Sequence, residues 1–241
     1  MKQIYAGVLL LCLLLSFSGC QKQEEAVLTS GEVSQEELDQ VKFVALTFDD
    51  GPRRGTTDVL LEGLRQRGVR ATFFLIGQQI AGNEDILRQM QTDGHQVGNH
   101  SYDHHFLTDC SEVRFQEEIN KTQTLLTEIL GPGEYWLRPP YGKISDQQQK
   151  QVQTPLVFWS VDPEDWKLLN REKVVQAVLR HVQDGDIILL HDFYPSSVQA
   201  ALDIVDALQE QGYFFLTVQQ LLRQRGIVPQ PGQIYRHAHL P

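Results

Sequence analysis

Cysteine is scarce. The 241 residues contain three, at positions 12, 20 and 110. Cys12 and Cys20 fall in the first twenty positions, so Cys110 has no partner for an internal disulfide. A stapled fold is excluded, and the domain must rest on its core. Positive charge is scarce too. There are 21 Lys and Arg against 31 Asp and Glu, a net charge of -10. No basic stripe is present, so nucleic acid is not an expected partner. Internal repeats are lacking, as is a second domain, and this length suits one α/β domain of the larger kind. A membrane-spanning run is also missing. The apolar stretch at 4–17 is too short to cross a bilayer comfortably.

That stretch does have a reading. It follows Lys2 and matches the apolar region of a secretory signal. It ends in Phe17-Ser18-Gly19-Cys20, which resembles a bacterial lipobox. Cleavage before Cys20 would leave that residue N-terminal and open to lipid attachment; plain secretion is the alternative. Residues 21–40 are rich in Gln, Glu and Ser and read as a solvated tether. The expected organisation is a signal at 1–19, a tether at 20–41, a folded domain at 42–228 and a C-terminal extension at 229–241. The expected place is outside the cytoplasmic membrane, held by acyl chains on Cys20.

What is abundant is alternation. Apolar, β-branched and aromatic runs occur at 43–48, 71–76, 96–98, 135–138, 156–161, 186–190 and 213–218. Amphipathic stretches separate them. Val174, Val175, Val178, Leu179 and Val182 recur at helical spacing, as do Val113, Ile119, Leu126 and Ile129 behind a Ser111 cap. A third helix is expected at 197–211. The order predicts an α/β fold with about seven parallel strands and helical crossovers. An irregular, incompletely closed (β/α) barrel fits, with an open doubly wound sheet as the alternative.

The polar clusters follow the strands. Asp49 and Asp50 follow the first, and His100 and His104 the third. Arg138 to Gly142 follow the fourth, Asp162, Asp165 and Trp166 the fifth, and His191 and Asp192 the sixth. In a parallel barrel all these ends share one face, where active sites form. On a helical turn, the four-residue spacing of His100 and His104 puts both imidazoles within reach of one metal. Two imidazoles and a carboxylate make a metal site with open positions. Of the adjacent aspartates, one can bind the metal and the other can stay free as a base. A divalent metal makes a water nucleophile available near neutral pH. His191 can supply a proton to a leaving group, and Arg138 can hold the free carboxylate as a bidentate partner.

Five ordered stretches, T-F-D-D-G-P, H-S-Y-D-H, R-P-P-Y-G, D-P-E-D-W and I-L-L-H, resemble the motifs of the NodB-homology polysaccharide deacetylases, carbohydrate esterase family 4. A-T-F-F-L-I-G and G-H-Q-V-G-N-H-S resemble that family as well, and the likeness runs over roughly 42–225. The resemblance implies a distorted (β/α) barrel that removes acetyl groups from glycans with one divalent metal, usually zinc. It implies Asp49 as general base, oriented by Arg138, and Asp50, His100 and His104 as metal ligands. His191 becomes the general acid with Asp165 beside it. The Tyr141 backbone N–H becomes an oxyanion donor, and Trp166 and Leu189 wall the acetyl pocket. Two departures stand out. Lys167 rather than Arg follows Trp166, and a second imidazole, His105, follows His104.

The other candidates have plain readings. His95 is expected to be structural, His105 a bystander, His181 on a helix surface, and His237 and His239 in a flexible tail. Trp136 and Trp159 read as core. Tyr102 and Asp103 either touch substrate or fill a turn, and Asp162 and Asp192 support their loops. Glutamines 147–149 read as a solvated helix face. The favoured function is a monomeric N-deacetylase acting on peptidoglycan amino sugars. Chitooligosaccharide or O-acetylated polysaccharide substrates, and a non-catalytic glycan-binding role, are the alternatives. An iron oxygenase using the same ligand set is disfavoured by the βα pattern.

Overall fold

The computed structural model describes residues 41–240. The expected signal, the tether up to residue 40 and the Cys20 anchor lie outside the described residues. Seven strands are present: β1 Lys42–Asp49, β2 Thr72–Leu75, β3 Gln96–Asn99, β4 Leu156–Val157, β5 Ile187–His191, β6 Tyr213–Phe215 and β7 Ile234–Tyr235. Between them run α1 Thr57–Gln66, α2 Glu84–Thr92, α3 Glu112–Leu130, α4 Asp146–Gln149, α5 Asp165–Leu168, α6 Arg171–His181, α7 Pro195–Glu210 and α8 Val218–Gln224. Ser111 caps α3 by accepting from the Arg114 amide, as expected from the sequence. None of the described helices is long and apolar enough to cross a membrane.

Every ladder between named strands is parallel. β1 pairs with β2 and β5, and β2 with β3, giving the order β3-β2-β1-β5. β6 takes the first residues of β1. Regular pairing stops there. Single bridges at Leu137 carry the circuit from β3 to β4, and one at Val161 reaches β5. The fold is thus the expected distorted α/β barrel, with a ladder that does not close regularly. Along β1, Val44, Leu46 and Phe48 pack outward among the helices, while Ala45 faces an interior cluster with Phe74, Trp136 and Ile187. The period of two puts Asp49 on the interior side, with Ala45 and Thr47.

Five expectations change. The 135–138 strand shrinks to a bridge, and the 156–161 strand to two residues. Pro139, which has no N–H, cannot extend the pairing of 135–138 with β4. Arg138 Nε and Nη2 fill the space beside it, donating to the Val157 and Phe158 carbonyls at 3.1 and 2.9 Å. The tail is packed rather than flexible: β7 pairs with β4, Ala238 is buried, and His239 Nε2 lies 2.6 Å from Asp186 Oδ1. Gln148 is buried, donating to the Leu107 carbonyl, and Gln149 donates to Gly232, so only Gln147 of that run is exposed. Val113 faces water, and the buried stripe of α3 is Phe115, Glu118, Thr122 and Leu126.

Gly98 shows how tightly the irregular side is built. A Cβ there would stand 2.5 Å from a Phe74 ring carbon and 2.8 Å from the Trp136 carbonyl oxygen. The second contact is backbone and cannot swing away. Gly98→Ala should therefore lower unfolding free energy by about 1–3 kcal/mol, the usual cost of overpacking. Urea denaturation checks this, and an unchanged midpoint would contradict it.

Candidate active site

The strand ends converge on a cavity of about 360 Å³ lined by Asp49, Asp50, His100, His104, Tyr141, Trp159, Asp162, Trp166, Leu189, His191 and Tyr194. A larger groove, about 870 Å³, runs openly along the outer face of α3. Among the described residues only Asp50, His100 and His104 form a cluster fit to ligate a metal, so the chemistry belongs to the smaller cavity.

Asp49 ends β1 and is buried. Its Oδ1 accepts from Arg138 Nη1 at 2.8 Å, and the same nitrogen donates to Thr47 Oγ1 at 2.8 Å. The guanidinium is fully buried and lies over the Phe74 ring at 4.1 Å. Burial pulls its pKa down, and the Asp49 charge opposes that pull. The expected bidentate fork is absent. Arg138 spends one donor group on Asp49 and the rest on Thr47 and two carbonyls.

Asp50 is the first residue beyond β1, with φ +75°. Simple strand alternation would send it away from Asp49. The left-handed backbone swings it back, so both carboxylates reach His100 Nε2, at 3.5 Å from Asp49 and 3.6 Å from Asp50. His104 Nε2 lies 3.3 Å from Asp50 Oδ1. None of these approaches gives Asp50 Oδ1 a hydrogen bond, although the atom is buried. Burial raises the Asp50 pKa and lowers those of His100 and His104. One donor atom from each of the three residues falls within 4.8 Å of the others. A buried oxygen without a partner, facing two uncharged imidazoles, fits a divalent cation.

The histidines are aimed by their second nitrogens. A carbonyl can only accept, so His100 Nδ1 donates to the Arg138 carbonyl, at 2.7 Å, leaving Nε2 as the free lone pair. His104 Nδ1 lies 3.2 Å from the Tyr141 hydroxyl. The pair does not sit on a helix, as the spacing had suggested. It occupies an irregular loop in which Ser101 and His104 have φ of +64° and +63°.

Across the cavity, His191 ends β5. Its backbone N–H and its Nδ1 both reach the buried Asp165 carboxylate, at 2.9 and 2.8 Å. Burial alone would lower the imidazole pKa. The Asp165 hydrogen bond and charge, with Asp49 and Asp50 nearby, outweigh it and raise the value to about 9. Asp192 turns away beneath Gly51, accepts from Thr57 Oγ1 at 2.5 Å, and is pushed by burial up to about 7.

The fold thus gathers Asp49, Asp50, His100, His104, Tyr141 and His191 around the cavity, with Arg138 beneath it and Asp165 behind His191. Trp166 and Leu189 line it. His105 stays outside, exposed and bonded to Asp103, and His95 is structural, accepting from the Ala71 amide. Trp159 and Asp162 were read as core and loop support, yet both line the cavity. Tyr194 was not singled out; its place, three residues after His191 at a strand end, was the available signal.

Residues 37–156 match the family model described as polysaccharide deacetylase. A peptidoglycan-N-acetylmuramic acid deacetylase, PdaC, of Bacillus subtilis is 41% identical over 180 residues, covering 75% of this chain and 38% of that protein. A peptidoglycan-N-acetylglucosamine deacetylase of Bacillus cereus is 34% identical over 210 residues, covering 81% and 95%. Among solved structures, a family 4 acetyl xylan esterase from Clostridium thermocellum, in complex with a cobalt ion, superposes with a TM-score of 0.78 at 32% identity, covering 83% and 100%. The chain spans about two fifths of the length of the first curated relatives it matches. On the ordered motifs, the barrel and the cluster of Asp50, His100 and His104, the chain belongs to the polysaccharide deacetylase family.

Proposed function

We propose that this chain is a metal-dependent hydrolase that removes N-acetyl groups from an extracytoplasmic glycan, with peptidoglycan amino sugars as substrate. The observation that carries the reading is the unequal treatment of two neighbouring carboxylates. Asp49 is tied to Arg138, while Asp50 keeps a buried oxygen without a partner between two imidazoles. The relatives named for peptidoglycan support the choice of substrate.

Asp50, His100 and His104 would hold the metal, with zinc favoured by the nitrogen and carboxylate donors. When bound, such an ion supplies a water nucleophile at neutral pH and polarises a carbonyl oxygen. Asp49, positioned by the hydrogen bond it accepts from Arg138, takes the proton from the attacking water. The Tyr141 backbone N–H donates to the oxygen that gains charge. His191, kept protonated by Asp165, gives its proton to the sugar nitrogen as the C–N bond breaks, leaving acetate and an amine. Trp166 and Leu189 exclude water around the acetyl methyl. A lipid anchor on Cys20 would hold the enzyme outside the membrane, next to the wall.

The direct test is acetate release by the zinc-loaded chain from peptidoglycan, chitooligosaccharides and acetylated xylan. Acetate from peptidoglycan is expected; release from xylan alone would replace the amide reading with an ester one. Asp49→Asn should cut kcat/KM by about 10²–10⁴ while leaving zinc affinity intact. Asp50→Asn should instead abolish tight zinc binding, as equilibrium dialysis would register. The pH profile tests the acid. Asp165→Asn removes the charge that holds His191 protonated, so the proton leaves at lower pH. The alkaline limb of kcat/KM, set in the parent by a group titrating at about 9, should move toward neutrality. An unmoved limb would remove His191 from that role.

A further inference from the structure

One buried acid is unused by this chemistry. Glu118 lies on α3, outside the motifs, with its carboxylate fully buried. Its Oε2 accepts from two consecutive backbone amides, Tyr102 and Asp103, each at 3.0 Å. These residues form the middle of the loop that joins His100 to His104. The Arg114 guanidinium, one turn back on α3, lies 2.6 Å from Glu118 Oε1 and also pairs with Asp103. One turn forward, Thr122 Oγ1 donates to the Ser101 carbonyl at 2.8 Å. From the opposite side the Gly77 and Gln78 amides donate to the Ser101 and Tyr102 carbonyls. A side chain at Gly77 would collide with Thr122 and Tyr102, so the clamp closes there to contact distance.

The loop needs such a clamp. Ser101 and His104 both hold left-handed backbone angles without being glycine. Each such residue costs on the order of 1–3 kcal/mol and persists only when its surroundings over-determine it. Relaxing either angle would redirect the following peptide and carry the imidazole of His104 away from Asp50. The two amides that Glu118 holds lie between the two strained residues.

We propose that Glu118 is a positioning residue for the metal site. It fixes the 101–104 loop from outside the cavity, in the conformation that presents both imidazoles to Asp50, and thereby sets metal affinity. The proposal rests on the reading of Asp50, His100 and His104 as ligands. It adds that an acid on a different element, touching neither metal nor substrate, determines how tightly they bind.

The experiment is zinc affinity of the full chain, measured by competition with a chromophoric chelator. Amide hydrogen exchange at Tyr102 and Asp103 is followed in the metal-free protein. Glu118→Ala should weaken zinc binding about 10–100-fold, the usual effect of losing a ligand's supporting partner. It should also deprotect both amides, and excess zinc should recover most of the activity. Glu118→Gln keeps an acceptor and should stay within a few-fold of the parent. Leu126→Ala, also buried in α3, serves as the control. It should lose stability yet retain zinc affinity. Should Glu118→Ala not fold, Thr122→Val removes a neighbouring clamp bond and should weaken zinc several-fold. Parent-like affinity in folded Glu118→Ala, or in Thr122→Val when it stands in, overturns the proposal. So does equal loss of affinity in Leu126→Ala. A parent that binds no zinc but protects both amides overturns the ligand reading itself, and the proposal with it.

Discussion

The site depends on one buried ion pair. Arg138 and Asp49 meet inside the barrel, Arg138 fully buried and Asp49 open only to the cavity. Desolvating two charges is expensive, and breaking such a pair by removing one partner costs about 3–5 kcal/mol. The pair persists because the guanidinium is served on several sides by Thr47, two backbone carbonyls and an aromatic face. The same guanidinium thereby joins the end of β1 to the backbone at the end of β4.

That pinning separates the duties of the adjacent acids. Asp49 is committed to Arg138 through one oxygen. Asp50 has left the strand with a left-handed backbone and keeps a buried oxygen without a hydrogen bond. The proposed acid at the far wall repeats the logic with a different pair. Asp165 takes both the backbone and the ring N–H of His191, so the ring is aimed and charged by one carboxylate. The proposed base, metal ligand and acid are each defined by what their second atom touches.

Much of this was legible in the sequence because it is local. A parallel βα order puts strand ends on one face, and Asp49, Asp50, His100, Arg138 and His191 all follow apolar runs directly. What escaped depended on partners distant in sequence. The 135–138 segment has strand composition, but Pro139 and Pro140 directly after it have no N–H to extend the pairing. The His100–His104 spacing is helical, yet the loop between them is held by Glu118 and Thr122, out of helix geometry. Those two are polar residues on the same helical stripe as Phe115 and Leu126, a mismatch visible on a helical wheel. The tail lacks strand length, and long-range partners hold it down: β4, Gly185 on the Ala238 amide, and Asp186 on His239.

The central claim is that adjacent aspartates divide two duties. Anomalous diffraction at the zinc edge, from crystals grown with zinc, tests it most directly. The account predicts one ion about 2.0–2.2 Å from Asp50 Oδ1 and from Nε2 of His100 and His104. Asp49 should remain bonded to Arg138 and outside the ligand shell. An ion ligated by Asp49, with Arg138 released, would contradict it.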